Sequence, residues 1–287
     1  MTTARPMPDY ALRDLAPQVA FALAEDVGDG DLTAALIPAG QQARGRLITR
    51  EAAVLCGTAW VDEVFRQLGG GVSITWLRQD GDQLSADDLL CELSGDARQM
   101  LTGERTAMNF LQTLSGTATA AQRFANAVAG KPVTVLDTRK TLPGLRGAQK
   151  YAVVCGGCEN HRIGLYDAFL IKENHITACG SISAAIGRAR ELAPGKRIIV
   201  EVESLDQLDE ALTAGPDQIM LDNFSVAMIE QALERAGDST AIEISGGVTL
   251  EDLTGLTLSR PVYVSVGAIT KHVQAVDLSL RLDPMPD

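Results

Sequence analysis

The sequence predicts an α/β protein in two parts, and three observations carry that prediction. Six short apolar runs recur in the second half of the chain: PVTVLDT, DAFLIK, KRIIVEVE, PDQIMLDN, AIEISGG and PVYVSVG. Most are separated by amphipathic stretches of helical period, SISAAIGRARELA, SLDQLDEALTAG and SVAMIEQALERAG. Up to about Leu114 the texture differs, with helical patterns bracketing alternating, β-branched pieces. Buried runs without clean alternation, spaced by helices, make parallel βα units whose strands are covered on both faces. Five or six such units in about 155 residues fit a barrel or a doubly wound sheet. An open dinucleotide-binding sheet fits less well, because no GxGxxG follows the first run and no acid sits where the second strand would read a ribose.

In the first part, Tyr10 to Ala24 predicts an amphipathic helix, and RGRLITREAAVLCG and GVSITWL predict strands. DARQMLTGERTAMNFLQTL then has apolar positions at helical spacing. Together these make a mixed α+β domain. The acidic EDVGDGDLT lacks the ligand spacing and terminal Glu of a calcium loop, so a capped turn is expected there.

Composition bounds the function. The 287 residues are 46% hydrophobic, with 25 Lys+Arg against 37 Asp+Glu, a net charge of −12. Such a balance argues against a nucleic-acid partner, which needs a basic face. No apolar run reaches membrane-spanning length, and Asp9, Arg13 and Asp14 interrupt any signal-peptide core. The expected location is cytoplasmic. Five scattered cysteines, an odd number, fit a reducing compartment. Cys155 and Cys158 form a CxxC, but no second pair completes a zinc site and the following GGCENHR has loop character.

The ends of the apolar runs hold the chemistry. They carry Asp137, Thr138, Arg139 and Lys140, then Lys172, Glu201, Asp222, Ser245-Gly246-Gly247 and Gly267. In a βα barrel all these ends converge on one face, where active sites are built. Glycine pairs after late strands match the usual barrel phosphate site. Arg139 to Lys172 contains six Lys/Arg and two acids, Glu159 and Asp167, leaving 19 basic and 35 acidic residues elsewhere. Positive charge gathered at strand ends in an acidic protein predicts a small, strongly anionic substrate gripped by Arg forks. His161, next to Arg162, is expected to face the ligand. Glu201 and Asp222 suit acid–base work, a divalent metal or sugar hydroxyls, or are rim acids paired with lysines. Lys140 and Lys172 suit anion binding or a Schiff base, with the neighbouring cations favouring the former. Arg105 lies on a partly buried helix and projects into a cleft, across a subunit contact, or simply pairs on the surface.

The motifs DTRKTLPGLRGAQKYAVVCGG, NHRIGLYDAFLIKENH, GERTAMNFLQTLSGTAT, EDVGDGDLT, IMLDN, EISGG and SVGAIT together resemble quinolinate phosphoribosyltransferase, from about Glu25 to Leu280. The resemblance implies an N-terminal α/β sandwich domain (1–114 plus 271–287) and an incomplete α/β barrel (115–270), with the active site at the C-terminal ends of the strands. It implies transfer of phosphoribose from 5-phosphoribosyl-1-diphosphate to quinolinate with decarboxylation, using Mg2+, in de novo NAD synthesis. By the same resemblance Lys140, Glu201 and Asp222 are catalytic. Arg139, Lys140, His161, Arg162 and Lys172 line the quinolinate pocket, and Glu201 and Asp222 hold ribose hydroxyls and the metal, directly or through water. Thr138, Ser245, Gly246, Gly247, Val266, Gly267 and Ala268 complete the substrate-binding set. A homodimer is implied, with Arg105 supplied by the other subunit and higher assembly left open. The chain departs from the family at Cys158, where a glycine triplet would end. The alternatives are a Schiff-base lyase on the same barrel, a nicotinate-using transferase and a non-enzymatic metabolite sensor.

Overall fold

The structure is a computed structural model describing residues 6–238, 240–258 and 260–284. It divides into two compact units. The first comprises Met1–Gln122, Thr141–Gly157 and Ile269–Asp287; the second comprises Arg123–Lys140 and Cys158–Ala268.

The first unit opens with helix α1 (Asp9–Val27), a short 3-10 turn (Ala34–Leu36) and strands β1 (Gln42–Thr49) and β2 (Ala53–Val54). Helix α2 (Thr58–Gln67), strands β3 (Val72–Trp76), β4 (Gln83–Leu84) and β5 (Leu89–Asp96), and the long helix α3 (Ala97–Ala127) follow. Strand β6 (Val133–Leu136) then belongs to the second unit, and helix α4 (Arg146–Cys155) to the first. The second unit continues with β7 (Phe169–Ile171), α5 (Glu173–Cys179), α6 (Ile182–Leu192), β8 (Ile198–Val202), α7 (Leu205–Ala214) and β9 (Gln218–Asp222). Its remainder is α8 (Val226–Ala236), β10 (Ala241–Ser245), α9 (Leu250–Gly255) and β11 (Val262–Ser265). Helix α10 (Ala268–Lys271) and strand β12 (Leu278–Pro284) close the chain.

The first unit is built on an antiparallel sheet of order β12-β1-β5-β3. In β1, Ala43, Gly45, Leu47 and Thr49 are buried while Gln42, Arg44 and Arg46 are exposed. That alternation presents one apolar face to helices, as a half-covered sheet requires. Trp60, Leu90, Met100, Leu111 and Leu114 are fully or almost fully buried in its core. The helix expected to stop near Leu114 runs on to Ala127. Its continuation, SGTATAA, is small enough for close approach. Ser115 Oγ accepts from Cys56 N at 3.0 Å, and a methyl group on Gly116 would lie 2.1 Å from the Gln274 carbonyl oxygen. The acidic stretch is a capped turn as expected: Asp31 Oδ1 accepts from the amides of Thr33 and Ala34, which holds the carboxyl below the usual range.

All six apolar runs of the second half are strands of one parallel sheet, ordered β6-β11-β10-β9-β8-β7. Read cyclically this is chain order with a break between β6 and β7, an incomplete barrel with one open seam. Helices α6 and α7 pack on β8, and α8 on β10. Ser181, Ser204 and Ser225 cap α6, α7 and α8, each accepting from the amide three residues on. Val200, Ile219, Ile242 and Val264 are buried on the alternate strand positions. In register between them, Glu201, Met220 and Glu243 form a row, and Asp222 and Ser245 form the next row toward the C-terminal edge.

Replacing Gly116 by alanine forces α3 from the Gln274 backbone. We expect a loss of about 1–3 kcal/mol, seen as a lower midpoint in denaturant unfolding with the slope unchanged.

Candidate active site

The barrel seam receives a loop that a buried carboxylate holds down. Glu159 bridges to Leu136 on the free edge of β6, with Glu159 N donating to Val135 O at 2.9 Å and Asp137 N to Glu159 O at 3.0 Å. Asp137, fully buried, accepts from Asn160 Nδ2 and from the His161 amide, both at 2.8 Å. The next residues, His161 and Arg162, are thereby fixed beside the strand that ends in Thr138, Arg139 and Lys140. Cys158 is accommodated in this loop as a buried thiol, which burial pushes up to about 12 with the Asp137 charge contributing.

Every expected second-unit site residue lies at the C-terminal end of the sheet. Lys172 follows β7, Glu201 is the fourth residue of β8, and Asp222 and Ser245 end β9 and β10. Gly246 and Gly247 follow with positive φ of 108° and 62°; Val266 and Gly267 follow β11, and Ala268 opens α10. A methyl group on Gly246 would meet Asn223 Oδ1 at 2.2 Å, and one on Gly267 would meet Lys140 Cδ at 2.9 Å and Thr138 Oγ1 at 3.3 Å. Asn223 and Lys140 therefore lie directly over glycine backbone; at Gly246, where φ is positive and the Asn223 backbone is also close, a side chain does not fit, and at Gly267 one would displace Lys140.

The sheet curves into a cup. In a flat sheet three strand spacings, about 14 Å, would separate the Glu159–Arg162 segment from β10. Instead His161 Nε2 is 3.3 Å from Glu243 Oε2.

The charges of the cup are unbalanced. Arg139 and Arg162 lie close enough that Arg139, after burial itself, pushes the Arg162 guanidinium below its ordinary value. Arg162 Nη1 donates to the Ala168 carbonyl at 3.0 Å, whereas Arg139 Nε is buried with no hydrogen-bond partner among the described residues. Lys172 Nζ pairs with Glu201, which is 7% exposed; Asp222 accepts from Asn223 Nδ2 at 2.9 Å. Two guanidiniums crowded together with a buried donor left over form a receptor for an anion with several acceptor oxygens.

Two of the six cations between Arg139 and Lys172 are assigned to the first unit: Arg146 and Lys150 are on α4, where Lys150 is fully buried. Arg105 is exposed on α3, also in the first unit. The sequence reading passed over Asp137 as an anchor and missed Gln218 and Glu243. A glutamate between Ile242 and Ile244 in a buried strand was the available signal for the latter.

The sequence aligns with the family model described as quinolinate phosphoribosyl transferase, C-terminal domain, over residues 117–281, and with the N-terminal domain model over 31–115. The chain belongs to the quinolinate phosphoribosyltransferase family. It is similar to the nicotinate-nucleotide pyrophosphorylase (carboxylating) of Mycobacterium leprae, at 40% identity over 91% of this chain and 94% of that protein. It is also similar to the probable enzyme of that name from Bacillus subtilis, at 39% identity over 89% of each. Among solved structures, nicotinate-nucleotide pyrophosphorylase from Francisella tularensis superposes with a TM-score of 0.91 at 44% identity, covering 94% of this chain and 96% of that one. The mixed α/β architecture, with a small sheet unit and a parallel sheet with helices, is that of the quinolinate phosphoribosyltransferases.

No group of three or more His, Cys, Asp or Glu side chains able to hold a metal occurs among the described residues. Glu201 and Asp222 thus suit a Mg2+ ion only in the manner typical of that ion, one or two carboxylates with substrate phosphate oxygens and water. The residues fit Mg2+ in that mode.

Arg139→Met removes one of the crowded charges and the unpartnered donor. The ligand-free protein should gain about 1 kcal/mol in a denaturant melt, and a dicarboxylate that raises the melting temperature of the parent protein should no longer do so.

Proposed function

We propose that the cup is the site where phosphoribose passes from 5-phosphoribosyl-1-diphosphate to quinolinate with loss of CO2, yielding nicotinate mononucleotide and pyrophosphate. The observation that carries this is the Arg139–Arg162 pair at the strand ends of a family member: two guanidiniums close enough to repel, with Asp167 the acid acting on Arg162 and the buried Arg139 Nε without a hydrogen-bond partner among the described residues. Quinolinate supplies the missing charge as two adjacent carboxylates on a pyridine ring. In our reading Arg139 and Arg162 fork onto them, His161 lies behind Arg162, and Lys140 and Lys172 complete the pocket. The phosphate end takes Thr138, Ser245, Gly246, Gly247, Val266, Gly267 and Ala268, whose glycines let an anion approach bare backbone.

Departure of pyrophosphate leaves positive charge on the ribose carbon, which Glu201 and Asp222 stabilise while accepting from ribose hydroxyls. A Mg2+ ion held by these two carboxylates and the diphosphate would neutralise charge building on the leaving group. The pyridine nitrogen forms the new bond to ribose. The resulting cationic ring then accepts the electron pair of the 2-carboxylate carbon–carbon bond as CO2 leaves, and a proton replaces it. The arginines must orient that carboxylate without binding it so tightly that its charge cannot move.

We also read the active form as a homodimer in which Arg105 serves the other subunit's cup. Its support is the family resemblance and the apolar side chains left open on the first unit, Phe21, Leu32 and Leu36, which are 74%, 89% and 84% exposed. Five free cysteines support a reducing, cytoplasmic location. No helix among the described residues is long and apolar enough to cross a membrane.

The test is release of labelled CO2 from the 2-carboxylate of quinolinate. It should require both 5-phosphoribosyl-1-diphosphate and Mg2+, and stop on chelation. Nicotinate in place of quinolinate should give no nucleotide. Arg162→Ala should weaken quinolinate binding by about 1–3 kcal/mol, and unchanged affinity in calorimetry would remove this residue from the pocket.

A further inference from the structure

A polar rod crosses the barrel interior beneath the cup. It starts at Arg197, exposed just before β8, whose guanidinium donates to Gln218 Oε1. Gln218 is fully buried at the start of β9 and donates through Nε2 to Glu243 Oε2. Glu243 is itself fully buried in the middle of β10, and the same Oε2 lies 3.3 Å from His161 Nε2. On the far side of the ring, His161 Nδ1 accepts the backbone N–H of Arg162 at 2.8 Å.

Each link constrains the next. Arginine only donates, so it takes the carbonyl end of the Gln218 amide and turns the NH2 end toward Glu243. A ring nitrogen that accepts an amide hydrogen carries none, so the single ring proton sits on Nε2, which lies close to the carboxylate without an aligned hydrogen bond to it. With one ring nitrogen bonded to the Arg162 backbone and the other turned to Glu243, the imidazole fixes the backbone of Arg162 instead of offering a charge to the substrate. A carboxylate is an expensive side chain to bury fully, as Glu243 is.

We propose that Glu243 is a positioning residue. Backed by Gln218 and Arg197, it holds the His161 ring in the tautomer and pose that set the Arg162 backbone, and so aims the Arg162 guanidinium at the anionic substrate. The substrate half of this inference rests on the function proposed above; the ring half does not.

The test uses the full-length protein and the variants Glu243→Ala and Glu243→Gln, with 15N spectra of the His161 ring, the Arg162 amide resonance, and steady-state kinetics. In the parent protein, Nδ1 should show the shift of an unprotonated acceptor and Nε2 that of a protonated nitrogen. In Glu243→Ala this pattern should average between tautomers, the Arg162 amide should move upfield, and KM for quinolinate should rise about tenfold, with kcat changed no more than about twofold. Glu243→Gln keeps an acceptor in place and should restore most of the KM. If Glu243→Ala does not fold, Gln218→Ala, which only releases the carboxylate from its orienting amide, should give the same changes at smaller size. A wild-type ring pattern, or a wild-type KM, in folded Glu243→Ala, or in Gln218→Ala where that variant stands in for it, overturns the proposal. Absence of any quinolinate turnover in the parent protein refutes the proposed function instead, and the ring and amide resonances still decide whether Glu243 positions His161.

Discussion

The cup depends on a single buried carboxylate, that of Asp137. A charge taken fully out of water needs hydrogen bonds to every accessible lone pair, and it finds two of them in the Asn160 side chain and the His161 amide. Those bonds, with the backbone bridge at Glu159, attach an irregular loop to an open strand edge that would otherwise expose its own unpaired groups. The consequence is chemical. Arg162 arrives beside Arg139 although 22 residues of sequence, including a helix assigned to the other unit, lie between them.

Bringing two guanidiniums together in a partly buried site raises the energy of the ligand-free protein. The buried Nε of Arg139 adds to that, because a donor without an acceptor keeps its full desolvation cost. Such tension is relieved by any anion that reaches the pair. The acids are treated differently. Glu201 is balanced by Lys172, whereas Asp222 sits one row nearer the strand ends with only the neighbouring Asn223 amide on it.

Glycine governs how closely these groups approach. At Gly246 and Gly267 the absent side chain is the space occupied by Asn223 and by Lys140, so the two positions matter for what lies over them as much as for their own torsions. Beneath, Gln218, Glu201 and Glu243 share the inward positions with a few apolar residues such as Ile199 and Met220, while branched apolar ones fill the outward positions. That is the reverse of a sheet with a single dry face, and it follows from helices covering the outside while the cup opens inside.

Much of this was legible in the chain. The six Val- and Ile-rich runs all form strands, because β-branched residues between helical patterns have few other packed solutions. Their polar ends lie on one face because parallel βα units all terminate in the same direction, so Lys172, Glu201, Asp222 and Gly246 could be assigned to one cup without coordinates. The first unit was less legible. Strand β12 pairs with β1 across more than two hundred residues, and α3 continues through the change of texture at Ser115, since helix propensity does not register where a compact unit ends.

What the sequence by itself determined, then, was the repeat of strand and helix and the chemistry at each strand end, which depend on local propensity and on direction. Tertiary structure alone decided where the barrel stays open, which loop fills the seam, and that Glu243 meets His161. Those depend on the curvature of the sheet, and curvature is the summed twist of six strands, a quantity no local stretch of residues contains.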